Sequence, residues 1–244
     1  MSNYLDNTAE DHGYFGTAAQ VGVSERVAFI RRTYAHLLGA TVAFLLFLTL
    51  ILQTPLGATM FSFLRQGRWA PLLLLGGFLA ASTGARYMAR NTSSRAIQYF
   101  GLILYTAAEA VIFSPLLWVL SQMQGGEDIL IQAGTLTLLI FGGLTCLVMV
   151  TKKDFSFLGN LLWMVSLAAL GLAVIGGFGG LHLGTWYVVG MIVLMSGYIL
   201  YDTSNVLHYY GTDQHVAAAL ELFASLATLF WYVIRFVMEM QRRN

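Results

Sequence analysis

Three carboxylic acids stand inside long apolar stretches of the sequence, where an ionisable side chain is unusual. Glu109 lies in YTAAEAVIFSPLL, Asp202 in SGYILYDTSNV and Glu221 in AAALELFASLATLF. In lipid, such a group costs about 3 kcal/mol or more at the centre of a helix, so its presence indicates a function. These three residues are therefore the first candidates for chemistry.

Buried carboxyl groups can sense pH and can also bind cations. A low dielectric constant favours the protonated form of a carboxyl group, and two neighbouring carboxyls can share one proton near neutral pH. Protonation changes the local charge and can bias two arrangements of helices, whereas the ionised oxygens are ligands of hard cations such as Ca²⁺. We therefore expect Asp202, Glu221 and Glu109 to form a pH sensor or ion path. Asp202 is the candidate Ca²⁺ ligand, and no resident metal or cofactor is expected.

Each acid also has a simpler interpretation. Asp202 is close to the end of its apolar segment, so it could accept hydrogen bonds near water. Glu221 could reach the lipid headgroups from the first turns of its segment. Glu109 lies about 18 Å from the start of its segment at 1.5 Å per residue, so its simplest alternative is a buried structural hydrogen bond. These alternatives remain open from the residues alone.

The elements that position the three acids are seven apolar segments. Hydrophobic residues make up 57% of the 244-residue chain and charged residues only 10%, against roughly 25% charged in a soluble domain. A helix needs about 20 apolar residues to cross the bilayer, whereas barrel strands alternate over about 10 residues. The pattern predicts an all-α bundle of seven transmembrane helices. They lie at about 34–53, 69–88, 97–120, 129–150, 157–177, 184–204 and 216–238.

The basic residues predict how the bundle is oriented. With the N-terminus in the cytoplasm, eight lysines and arginines fall on the inner side and four on the outer side, as the positive-inside rule requires. We expect a flexible cytoplasmic tail at 1–25, a transmembrane domain at 26–244 and an external C-terminus. The inner residues are Arg26, Arg31, Arg32, Arg86, Arg90, Arg95, Lys152 and Lys153, and the outer ones are Arg65, Arg68, Arg242 and Arg243.

Asp202 and Glu221 are predicted to lie at similar depth. They are 19 residues apart on consecutive segments that run in opposite directions, and Gly211 is available for the turn between them. This arrangement makes Glu221 the expected acidic neighbour of Asp202.

Several motifs resemble the Bax inhibitor family, also called the transmembrane BAX inhibitor motif family. They occur in order along the chain as RRTY at 31–34, TKKDFSFLG at 151–159, GYILYDT at 197–203, ALELF at 219–223 and LF at 229–230. The resemblance implies a seven-helix fold with a central last helix and a pH-sensitive Ca²⁺ leak linked to an aspartate pair. One aspartate of that pair matches Asp202. The other falls at Ser225, where this chain has no carboxylate, and Glu221 lies one helical turn away.

The resemblance leaves two functions in competition. One is a channel or leak pathway for Ca²⁺ or protons that Asp202 controls together with Glu221 or Glu109. The other is a non-conducting regulator of a stress response or of a membrane-anchored ATP-dependent protease, which some bacterial relatives with serine at this position engage through their cytoplasmic tail. By the same resemblance we expect a bacterial inner membrane protein.

An enzyme is not expected. The sequence lacks the Gly-x-Gly-Asp motif of intramembrane aspartyl proteases, and it also lacks the Gly-x-Ser-x-Gly elbow of serine hydrolases. Both lysines, Lys152 and Lys153, stand in one loop and offer no Schiff base inside the bundle. The net charge of +1 gives no reason to expect a nucleic acid partner.

Overall fold

A computed structural model describes residues 17, 19, 22–67, 69–91, 93–179 and 183–242, with the side chains of 177–179 excepted. Most of the predicted tail at 1–25 lies outside these residues. The first helix begins at Val23, three residues before the predicted start of the transmembrane domain.

The described chain contains eight helices, and seven of them are long and apolar enough to cross a membrane. The prediction of an all-α bundle with seven transmembrane helices is confirmed. The remaining helix, α2, was not predicted from the sequence. At ten residues, or about 15 Å, it is too short to cross the bilayer. The helices are α1 (Val23–Leu52), α2 (Leu56–Arg65), α3 (Ala70–Ala89), α4 (Arg95–Ser121), α5 (Gly126–Thr151), α6 (Leu158–Gly179), α7 (Thr185–His208) and α8 (His215–Gln241).

The last helix is the centre of the bundle, as the family resemblance implied. Helix α8 packs against α1, α3, α4, α5 and α7. In the most apolar 18-residue stretch of α8, 67% of the residues are buried, whereas in that of α6 only 6% are buried. Helix α6 packs beside α7 at the edge of the bundle. Small residues such as Ala217, Ala218, Ala219 and Ala224 cover much of the buried surface of α8. Small side chains let neighbouring membrane helices approach closely.

Two local features keep α3 and α4 in position beside α8. A Cβ atom on Gly101 would lie 2.5 Å from the carbonyl oxygen of Ala85, so only glycine lets α3 pass this close to α4. Further along α4, Pro115 has no N–H to donate to the carbonyl of Val111. The hydroxyl of Ser114 donates to that carbonyl instead, at 2.7 Å. The proline is therefore tolerated inside the membrane because the freed acceptor is satisfied.

With seven crossings, the start of α1 and the end of α8 lie on opposite sides of the membrane. We call the side on which α1 begins the α1 side. Helices α4, α6 and α8 also begin there, and α3, α5 and α7 end there.

Hydrogen bonds hold the loop between α5 and α6 against the end of α7 on the α1 side. Helix α5 ends at Thr151, and the next residue, Lys152, has a φ of 53° that turns the chain into the loop. Asp154 then accepts hydrogen bonds from the hydroxyls of Tyr209, at 2.5 Å, and Ser204, at 3.2 Å, and from the N–H of Ser156, at 2.8 Å. The Tyr209 hydroxyl and then the Ser156 N–H lower the pKa of Asp154 from 3.8 to about 2.

The first prediction concerns orientation. A reporter fused at the N-terminus should be cytoplasmic and one fused after Asn244 should be external, because basic residues favour the cytoplasmic side and the number of crossings is odd. Alkaline phosphatase and green fluorescent protein fusions give opposite readings on the two sides and control for each other. Both ends on one side would contradict the bundle of seven crossings.

The second prediction concerns the α5–α6 loop. Asp154→Ala should speed hydrogen exchange at the amides of Phe155 and Ser156, because the carboxylate that holds the loop to α7 is removed. Because the folded pKa of Asp154 is below its unfolded value, its contribution is complete above about pH 4 and is lost only as pH falls through about 2.

The ratio of exchange rates between Asp154→Ala and wild type should therefore be the same at pH 5 and pH 8, after correction for intrinsic rates. Lys153→Ala is the matched control, since its side chain takes no part in these hydrogen bonds. A loop that loosened in wild type between pH 8 and pH 5 would show that Asp154 does not hold it as described.

Candidate functional site

The four residues selected from the sequence occupy three helices on the inside of the bundle. Asp202 lies on α7, about two turns before that helix ends at His208. Glu221 and Ser225 lie one turn apart on α8, and Glu109 lies near the middle of α4. Asp202, Ser225 and Glu109 are all buried, with 8%, 7% and 4% of their surfaces exposed.

Asp202 and Ser225 form a direct pair between α7 and α8. The Ser225 hydroxyl donates a hydrogen bond of 2.5 Å to Oδ2 of Asp202. The structure thus brings together the two positions that the family resemblance implies, with a hydroxyl in place of the second carboxyl. The pair is buried, so the alternative that Asp202 merely caps a helix end in water does not hold.

Glu221 is bound by two arginines of α3. Nη1 of Arg86 donates to Oε2 of Glu221, and Nη2 of Arg90 donates to Oε1 at 3.0 Å. The Glu221 side chain is only 12% exposed, so the alternative that it reaches the lipid headgroups does not hold either. Glu221 lies one turn before Ser225, the partner of Asp202, but its own hydrogen bonds go to the arginines.

Glu109 extends the polar cluster toward the middle of the membrane. It accepts a hydrogen bond of 3.1 Å from the hydroxyl of Tyr105, one turn earlier on α4. The guanidinium carbon of Arg86 lies 5.5 Å from the centre of the Tyr105 ring. A continuous series of polar contacts therefore runs from Glu109 through Tyr105 and Arg86 to Glu221.

The two arginines and the tyrosine were not selected from the sequence. Arg86 and Arg90 served only to predict the orientation of the bundle. Their spacing of four residues puts them on one face of a helix, and the same spacing relates Tyr105 to Glu109. Two cations on one face of an apolar helix indicate an anionic partner inside the bundle. This spacing could have identified Arg86 and Arg90 as site residues from the sequence.

The charges of the cluster are divided unequally. It holds three carboxyl groups and two guanidinium groups, and both guanidinium groups bind the same carboxylate, that of Glu221. Asp202 and Glu109 receive their hydrogen bonds from uncharged hydroxyls instead. A hydroxyl can donate to an ionised carboxyl and accept from a protonated one. Asp202 and Glu109 can therefore change protonation while keeping the same partner.

A cavity of about 480 Å³ leads from the α1 side to this cluster, and we call it the vestibule. It reaches Arg90 and also Tyr201, the residue before Asp202. Water and ions of the α1 side can therefore reach the outer face of the pair between Arg90 and Glu221. The vestibule is lined by Arg90, Ser156, Tyr201, Asn205, Tyr209, Tyr210 and Gln214.

The cluster is not arranged as a resident metal site. Among the described residues, histidine, cysteine, aspartate and glutamate nowhere form a group of three that could hold a metal ion. A cation at Asp202 would find a single carboxylate and the Ser225 hydroxyl. Such a sparse set of ligands suits an ion in passage better than a bound ion, since Ca²⁺ sites use six to eight oxygens.

Comparison with known proteins agrees with this fold over almost the whole chain. Mouse Protein lifeguard 4 is 24% identical over 96% of this chain and 94% of its own length. Bax inhibitor 1 of Schizosaccharomyces pombe is 27% identical over 93% and 82%. A membrane protein of Vibrio cholerae is 30% identical over 57% of this chain, and the match spans 61% of that protein. Residues 26–243 match the family described as inhibitor of apoptosis-promoting Bax1, so this multi-pass membrane protein belongs to that family.

Proposed function

We propose that this protein is a pH-sensitive leak pathway for cations, Ca²⁺ among them, in a bacterial inner membrane. The observation that carries the proposal is the buried pair of Asp202 and Ser225 at the contact between α7 and the central helix α8. A carboxyl group at that depth is costly. In our proposal it is present because its charge is used.

The described arrangement represents the closed pathway. A cation that enters the vestibule first meets Arg90, and next to it Arg86, both bound to Glu221. Two positive charges facing one negative charge repel a cation before it reaches Asp202. Opening therefore requires α3 to move away from α8, so that both arginines leave the path and Glu221 becomes available to the ion.

The pH response comes from Asp202. Arginine stays protonated at all relevant pH values, and both arginines are paired with Glu221. Asp202 is bound by a neutral hydroxyl that tolerates either protonation state. A protonated Asp202 attracts no cation, whereas an ionised Asp202 does. Flux should therefore rise with pH.

A non-conducting regulator is the competing function, and the names of relatives favour it. The relative from Schizosaccharomyces pombe is named Bax inhibitor 1, and a Vaccinia virus relative, 23% identical over 93% of this chain, is named Golgi anti-apoptotic protein. None of these names mentions an ion. In this alternative the chain before α1 would engage a partner such as a membrane-anchored ATP-dependent protease. Thr17 pairs with Gly211 beside the vestibule, at the end of the bundle where such a partner would bind. In neither case do we propose an enzymatic reaction.

The third prediction tests whether Asp202 controls the pH response of cation flux. In proteoliposomes with a Ca²⁺ indicator, wild-type flux should rise between about pH 5 and pH 8, the range in which a buried carboxyl titrates. Asp202→Asn should flatten this response, because the amide has nearly the same shape and no charge. Asp128→Asn is the matched control, since Asp128 is an exposed carboxylate at the start of α5.

A gain of response provides a second arm of the same test. Ser225→Asp should steepen the pH dependence, because two carboxyls at this position would share a proton. Absence of cation flux from wild type at every pH in this range would overturn the leak pathway and favour the regulator.

The fourth prediction tests the contact that closes the pathway. Glu221→Gln should raise flux at a fixed pH and lower the free energy of unfolding by about 2 kcal/mol, because two charge-assisted hydrogen bonds are lost. The loss is at the low end for a buried pair because Arg86 and Arg90 are 39% and 61% exposed.

A double-mutant cycle with Arg86→Gln separates this contact from general damage. The double variant should be less destabilised than the sum of the two single variants, since the Arg86 guanidinium no longer faces an uncharged residue 221. Arg90 faces that uncharged residue in both variants that carry Glu221→Gln, so its contribution cancels in the cycle. Glu127→Gln, at an exposed carboxylate on α5, is the control. Additive effects together with unchanged flux would show that the α3–α8 ion pairs do not hold the pathway shut.

A further inference from the structure

A second polar cavity lies on the α1 side, apart from the vestibule. Its volume is about 680 Å³, and it is formed by the first turns of α1 and α4 and by the loop between α7 and α8. Arg32 and Arg95 line it together with Glu25 and Asp213. No ion pair between described residues uses any of these four side chains. The cavity therefore presents two cations and two anions that face a common space.

A buried nitrogen atom adds to this unused polar capacity. Nδ1 of His215, at the start of α8, is buried and has no hydrogen-bond partner in the described part of the chain. His215 lines the same cavity. A buried polar atom without a partner costs free energy, so a ligand in this cavity that bonded to Nδ1 would remove that cost.

An apolar groove lies between α1 and α4 about one turn further into the membrane than the cavity. It has a volume of about 230 Å³. Its α1 wall is made of small residues, Ala35, Gly39 and Ala43, and Ile103 stands on the α4 wall. A Cβ atom built on Gly39 would touch nothing within 4 Å, so the groove is open there.

His36 lies between the polar cavity and the apolar groove. It lines the groove, its Nε2 lies 3.1 Å from the Tyr99 hydroxyl on α4, and its ring packs edge-on against His215 at 4.9 Å. From Arg32 to Ala43 the helix rises about 16 Å, which is close to half of the 30 Å hydrocarbon core. The combined site therefore matches one leaflet, with charges at the surface and small apolar residues beneath.

We propose that this site binds an aminophospholipid, with its headgroup in the cavity and one acyl chain in the groove. Arginine is suited to phosphate because its fork of N–H groups matches the phosphate oxygens. In this site Arg32 and Arg95 bind the phosphate, and Glu25 and Asp213 bind the ammonium group. A purely anionic headgroup would leave both carboxylates facing negative charge, and a quaternary ammonium has no N–H to donate to them.

The experiment is native mass spectrometry of the full chain, released from nanodiscs that contain equal amounts of phosphatidylethanolamine, phosphatidylglycerol and phosphatidylcholine. Wild type should retain phosphatidylethanolamine about fivefold over either other lipid, the factor that about 1 kcal/mol of ion pairing gives. Arg32→Gln with Arg95→Gln should abolish the preference. Arg31→Gln with Lys153→Gln removes the same charge from the same side outside the cavity and should leave the preference intact.

Two further variants keep the test independent of folding damage. Glu25→Gln with Asp213→Asn should reverse the preference toward phosphatidylglycerol, a gain that a misfolded protein cannot show. Gly39→Leu should fill the groove and reduce retention of every lipid. Gly76→Leu, at an equally open glycine on α3, should not.

Three results would overturn the proposal. Equal retention of the three lipids by wild type would mean annular lipid only. Preference of wild type for phosphatidylglycerol would mean a simple anion site. Displacement of phosphatidylethanolamine by millimolar inorganic phosphate would mean that the cavity binds free phosphate and that the groove contributes nothing.

Discussion

The carboxylate of Glu221, held by Arg86 and Arg90, is the contact on which the interior of this bundle depends. An unpaired charge between membrane helices would be expelled or neutralised. Because Glu221 is buried in the bundle, helix α3 must bring both arginines against α8. The close approach of α3 to α4 at Gly101 serves the same end, because it places the last turns of α3, which carry the two arginines, within reach of α8.

The central position of α8 follows from what surrounds it. Glu221 and Ser225 face polar partners on α3 and α7, and the alanines beside them allow close contact with several helices. A helix that carried these polar groups at the edge would expose them to lipid. Helix α6 shows the opposite case, since its described side chains offer mostly apolar surface and it packs chiefly beside α7.

The sequence predicted the elements better than their contacts. Seven crossings follow from the length and composition of the apolar segments, which are local properties of the chain. Helix α2 was missed because ten residues between two crossings give no span signal. Arg86 and Arg90 were interpreted only through the orientation rule, and their role depends on which helix lies opposite them. Nothing local states that α3 faces α8, whereas the Asp202–Ser225 pair followed from a motif that spans both helices.

In the proposed pathway, the serine at position 225 reduces the number of protons that can be exchanged. Two carboxyls in contact titrate as a coupled pair, with two steps that belong to both groups. In the Asp202–Ser225 pair the hydroxyl does not ionise in the accessible range, so only one proton is exchanged there. Glu221 links α8 to α3 through its two arginines, whereas Asp202 faces the uncharged hydroxyl of Ser225 between α7 and α8. In the proposed pathway the pH sensor, Asp202 on α7, is separate from the latch, Glu221 on α8, although Ser225, the partner of Asp202, lies only one helical turn from Glu221.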